Sequence, residues 1–150
     1  MRRIPVMAAL SALVLTLSGC LGGGPSTGDV SKVQLALEAL GPRWKVEYVD
    51  NTGSDSEGLD HDLAIGLHHD ARVESGDLIE LFTILAEALP DSYRFKISLL
   101  ITAGPDGQFP NLVQQAKDVG LDPGFESFYE HGEITCTVKD LSRIVDEYKP

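Results

Sequence analysis

Residues 93–102 read YRFKISLLIT, and the fold turns on this stretch. Tyr93, Phe95, Ile97, Leu99 and Ile101 fall on one side of an extended chain, and Arg94, Lys96 and Ser98 fall on the other. A period of two, carried by aromatic and β-branched residues, predicts a strand with one face against a core. At roughly 3.3 Å per residue it would reach about 30 Å, long enough to sit centrally in a sheet.

Working back from it, GDLIELFTILAEAL, residues 76–89, keeps its polar residues Asp77, Glu80, Thr83 and Glu87 to a narrow stripe. That pattern predicts the most buried helix, capped by Ser75 and ended by Pro90. Leu63, Ile65 and Leu67 alternate in a second strand, joined by the short polar link DNTGSDSEGLD to RWKVEYV, residues 43–49. The shortness of the link predicts a hairpin, with Trp44, Val46 and Tyr48 on one side and Lys45 and Glu47 on the other. Val30–Leu40 has helical spacing, with Asp29 as its cap and Gly41-Pro42 as its stop.

Working forward, Ala103–Gly107 is a turn, and Leu112, Val113, Ala116 and Val119 form the inner face of a helix near 110–119. Asp122–Gly132 is a loop carrying Phe125, Phe128 and Tyr129. Ile134, Cys136 and Val138 alternate in a last strand, and Asp140 caps a closing helix with Leu141, Ile144, Val145 and Tyr148 on one face. The order α-β-β-α-β-α-β-α predicts an α+β two-layer sandwich, a four-stranded mixed sheet with helices on one face only. The open face should then carry Lys45, Glu47, Arg94, Lys96, Thr135 and Thr137.

The first twenty residues are of another kind. Arg2 and Arg3 precede an uncharged apolar run, Val6–Leu17, which is short of the roughly 20 residues that a bilayer span needs but fits a secretory signal. It ends in Leu17-Ser18-Gly19-Cys20, and this tetrapeptide resembles the lipobox of bacterial lipoproteins: an aliphatic residue, two small residues and a cysteine. The resemblance implies a diacylglyceryl group on the Cys20 thiol, cleavage before Cys20 and acylation of the new amino group. Two chains anchor stably where one is marginal, since each buried methylene contributes about 0.8 kcal/mol. Residues 1–19 are then a cleaved signal, 20–28 the lipidated cysteine with a Gly/Ser/Pro-rich tether, and 29–150 one domain. The location implied is a cell membrane, on the periplasmic or outer surface. Leu21 is not the Asp that retains some Gram-negative lipoproteins at the inner membrane.

The chain has a net charge of −11, and loss of Arg2 and Arg3 with the signal takes it to −13. Such a surface opposes nucleic acid and anionic headgroups, so the membrane is reached through the lipid and no nucleic-acid partner is expected. With Cys20 acylated, Cys136 is left alone, and the core must hold without an intrachain disulfide. About 120 residues suffice for one such core.

Candidate chemistry is thin. Asp60-His61-Asp62 and His68-His69-Asp70 resemble halves of a metal site, but the ends of a strand over Asp62–His69 stand roughly 20 Å apart. Alternation puts Asp62 and His68 on the polar face and His61 and His69 on the apolar one, leaving His68 with Asp70 as a conceivable local pair. Ala64 and Gly66 leave room on the polar face for a close neighbour or a ligand. The acidic link offers oxygen donors for Ca²⁺ without the EF-hand spacing. His131, beside the aromatic loop, is a candidate general base, and Cys136 reads as a buried thiol. No G-x-S-x-G, P-loop, C-x-x-C or H-E-x-x-H is present. The expectation is a lipid-anchored binding or accessory domain without catalysis or cofactor, contacting a protein or an envelope component. The alternatives are a small acid/base hydrolase on His131 or His68 and a divalent-cation module. Asp60, Asp62, His68, Asp70 and His131 are the candidate ligand or cation contacts.

Overall fold

The computed structural model of the chain describes residues 27–52, 62–94, 96–121 and 132–148. Its elements run α1 (Thr27–Leu37), β1 (Trp44–Thr52), β2 (Asp62–His69), α2 (Ser75–Ala88), β3 (Ile97–Ala103), α3 (Val113–Asp118), β4 (Glu133–Cys136) and α4 (Val138–Tyr148), the order that the sequence predicts. The four strands form one mixed sheet in the order β1-β2-β3-β4. β1 is antiparallel to β2, β2 parallel to β3, and β3 antiparallel to β4. The parallel pair is made possible by α2, which carries the chain back across one face.

That face holds the core. Leu63, Ile65 and Leu67 of β2 and Ile97, Leu99 and Ile101 of β3 are buried in one cluster with Val33 and Leu37 of α1. Leu78, Leu81, Phe82 and Leu85 of α2 and Val138, Leu141 and Ile144 of α4 complete it. Full burial of each such side chain is worth about 1.5–3 kcal/mol, so the fold rests on this layer. Among the described residues no helix is long and apolar enough to cross a membrane.

Several local expectations are corrected. β3 starts at Ile97, four residues later than YRFKISLLIT suggests. The Tyr93 N–H instead bonds to the Pro90 carbonyl at 2.8 Å, closing a turn behind α2. Pairing sets the limit, because the register on β2 opens at Leu63 with Ile97 and that on β4 at Cys136 with Ile97.

β1 breaks its own alternation. Val46 pairs with Leu67, but Tyr48 pairs with Gly66, so Glu47 is the extra residue of a bulge. Trp44 and Val46 face inward before it, and Val49, opposite Ile65, faces inward after it. Tyr48 therefore lies on the open face, 43 % exposed, and not with Trp44 and Val46.

The caps also move. Asp29 lies within the first turn of α1, and α2 is capped by Glu74, not Ser75, with the Asp77 carboxylate accepting the Glu74 N–H at 2.7 Å. Val138 opens α4 and does not end β4, and Thr137 is the cap. Asp140 answers it: its Oδ2 accepts the Thr137 N–H at 3.0 Å and the Thr137 hydroxyl at 2.7 Å, while Thr137 Oγ1 accepts the Asp140 N–H at 3.2 Å.

Of the residues expected on the open face, Lys45 and Thr135 are there. Glu47 sits at the bulge, Arg94 and Lys96 precede β3, and Thr137 belongs to the cap. By register the face carries Lys45, Tyr48 and Asp50 on β1, Ala64, Gly66 and His68 on β2, Ser98, Leu100 and Thr102 on β3, and Glu133 and Thr135 on β4.

Candidate functional site

Two histidines that are neighbours in sequence end in opposite environments, as alternation along β2 requires. His68 is half-buried on the open face, between Lys45 and Thr102 in the register. Its Nδ1 lies 3.0 Å from Thr102 Oγ1, and that hydroxyl is directed at the Leu67 carbonyl at 3.4 Å. In the tautomer that carries its proton on Nδ1, His68 donates to Thr102 Oγ1 and Nε2 is the acceptor; in the other tautomer the Thr102 hydroxyl donates to Nδ1.

His69 is fully buried beneath the other face. Its ring meets the Trp44 indole edge-on, with centroids 4.6 Å apart and planes at 72°. Nδ1 is 2.9 Å from the Ala71 carbonyl, and Nε2 is 3.6 Å from Asp77 Oδ1 at the start of α2. Arg43 lies against the same carboxylate at 3.9 Å and against Asp70 at 3.7 Å. The cluster joins the end of β2, the start of β1 and the first turn of α2. Its chemistry is that of a brace.

The expected pairing of His68 with Asp70 does not form. Asp70 turns to Arg43, whose carbonyl also accepts the Asp70 N–H at 2.9 Å, while His68 turns to Thr102. Asp62 opens β2 opposite Thr52. Cys20, Asp60, His61, the acidic link from Gly53 on, Phe125, Phe128, Tyr129 and His131 lie outside the described residues. Among the described residues no group of three or more His, Cys, Asp or Glu is placed to hold a metal ion. Cys136 is buried, with Sγ 3.9 Å from the Ile97 carbonyl. Burial, and secondarily the Asp140 charge, push its thiol far above the usual range, which suppresses the reactive thiolate.

The feature that periodicity missed is Tyr48. A Cβ built on Gly66 would lie closest to Tyr48 Cε1 and nearly as close to its two bonded neighbours, Cδ1 at 2.5 Å and Cζ at 2.7 Å. A point beyond Cε1 in the ring plane would stand farther from both neighbours, so the ring lies flat over Gly66 with one face down on the sheet. Glycine on the polar face of β2 does signal a close neighbour, but only the bulge at Glu47 supplies it from β1. An open groove of about 230 Å³ lies beside α1 and α2 and is lined by Ala36, Ala39, Ile84, Glu87 and Ala88.

Comparisons of the chain with models of protein families, with curated proteins and with solved structures found no match.

Proposed function

We propose that the protein is a lipid-anchored, extracytoplasmic binding or accessory domain without catalytic activity, whose open sheet face contacts a protein or another envelope component. The lipobox-like Leu17-Ser18-Gly19-Cys20 carries this reading. α1 begins at Thr27, so six residues, Leu21–Ser26, separate it from the anchor. So short a Gly/Ser/Pro-rich link would hold the domain close to the headgroups. The sheet face supports the second half of the reading, since it offers an aromatic ring, two carboxylates and a histidine on a rigid layer.

Cys20→Ala in the natural host tests the anchor. The wild-type chain should incorporate labelled fatty acid and fractionate with membranes, and the variant should do neither. An unmodified Cys20 thiol in the natively produced chain refutes the reading.

A second reading rests on the contact of His68 with Thr102 on the open face, because the tautomer whose Nδ1 donates to Thr102 Oγ1 has Nε2 as a proton acceptor. It makes the protein a small acid/base enzyme. Turnover of an envelope substrate, abolished by His68→Ala and altered in pH profile by Thr102→Val, would establish it over the first.

A further inference from the structure

The Tyr48 ring is an unusual surface element: one face is pressed on the Gly66 backbone while the residue remains 43 % exposed. A ring held flat on a sheet offers its outer face, where the negative π density lies, to whatever approaches. The charge around it is directional. On the same face, Asp50 follows two residues along β1, and Glu133 lies in the same cross-strand row beyond Gly66 and Leu100. Lys45 and His68 stand on the other side of the ring, toward the start of β1. From Trp44 to Asp62 the sequence holds one basic residue, Lys45, against Glu47, Asp50, Asp55, Glu57, Asp60 and Asp62.

We infer that Tyr48 and Asp50 form the docking point for a basic segment of a protein partner, which sets an arginine or lysine side chain over the ring with its charge toward Asp50. Cation–π attraction and a neighbouring carboxylate then act on the same group, and arginine suits both because its planar guanidinium stacks as well as pairs. The net charge of −11 adds long-range attraction for such a partner and repels nucleic acid and anionic lipid. The proposal deepens the binding-domain reading and rests on it, since it names the chemistry of the partner.

The test uses the full chain, taken from membranes into neutral detergent and labelled for amide NMR. The probe is a Gly/Ser peptide carrying four arginines, with a citrulline version of the same length as its neutral counterpart. Amide shifts should concentrate at Tyr48, Asp50, Gly66, Leu100 and Glu133 and fade as salt is raised. Tyr48→Phe should bind as wild type. Tyr48→Leu, which still covers Gly66 without a π face, and Tyr48→Ala should each weaken binding about 3- to 30-fold, the range expected of a cation–π contact. Asp50→Asn should also weaken it.

Four results overturn the proposal: equal affinity of Tyr48→Leu and wild type, shifts spread over the acidic helices, binding of the citrulline peptide as tight as that of the arginine peptide, or preference for N-acetylglucosamine oligomers or anionic vesicles over the peptide. Any of these in a chain still acylated at Cys20 removes the basic partner and leaves the anchored domain standing. Loss of acylation alone does the reverse.

Discussion

Replacing Gly66 by alanine asks whether the tyrosine truly lies on the glycine. The three atoms nearest an added Cβ all belong to Tyr48, at distances that no real Cβ tolerates. Gly66 is not among the glycines with positive φ, so alanine meets no backbone penalty there. Ring displacement is the main structural cost, and overpacking of this sort costs about 1–3 kcal/mol. Alanine also restricts the unfolded chain more than glycine does, which offsets about 0.4–1 kcal/mol. The net expectation is a loss of about 1–2 kcal/mol. In a Tyr48→Ala background the clash is gone, and Gly66→Ala should become neutral or stabilise by about 0.5–1 kcal/mol. The coupling between the two sites is then about 2 kcal/mol, within the range measured for residues in contact. Urea unfolding followed through Trp44, the only tryptophan and buried against His69, reads all four corners of this cycle. A chain starting at Pro25 is suitable, because the buried core of the described residues runs from Val33 to Ile144. Additive effects of the two substitutions would show that ring and glycine do not touch, and would take the Tyr48 docking point with them.

Two further outcomes follow from the last strand and helix. Thr137→Ala should lower stability by about 1 kcal/mol in the same urea assay, because it strips the cap that Asp140 reciprocates; Thr137→Ser, which keeps the hydroxyl, should recover most of the loss. The Cys136 thiol keeps its proton in the folded protein well above the pH at which an unfolded thiol releases it, so the stability this contributes is complete below about pH 8.5 and declines as pH rises beyond. Cys136→Ala should flatten that alkaline decline, and a thiol reagent should reach wild-type Cys136 only as the chain unfolds. Rapid labelling of the native protein would refute the burial argument.

Much of the architecture is legible from local chemistry. Leu63, Ile65 and Leu67, the even spacing in ISLLIT and the apolar breadth of GDLIELFTILAEAL prescribe strand, strand and helix, and the order of elements then leaves an α+β sheet with one covered face. The split between His68 and His69 is equally local, because a period of two sends neighbours to opposite faces whatever the strand pairs with. Where a strand begins or a helix is capped is less local: Tyr93 alternates with the rest of β3 yet turns its N–H back to the Pro90 carbonyl, and Val138 alternates like the rest of β4 yet belongs to α4.

The candidate face lies at the far end of that scale. Nothing within RWKVEYV distinguishes a regular strand from one bulged at Glu47, because the bulge is a property of the pairing with β2 and not of β1 alone. One unpaired residue reverses every side chain after it. That reversal brings Tyr48 out of the core, sends Val49 in, and lays an aromatic ring on a glycine eighteen positions away. In the same way Asp70 goes to Arg43, and His68 to Thr102, through contacts that only the assembled sheet creates. Alternation and helical spacing, being intrinsic to each segment, determined the order of elements and the buried face of β2, β3 and α2, but not the burial of Tyr48 and Val49. Register, being a relation between segments, was decided by the tertiary structure alone.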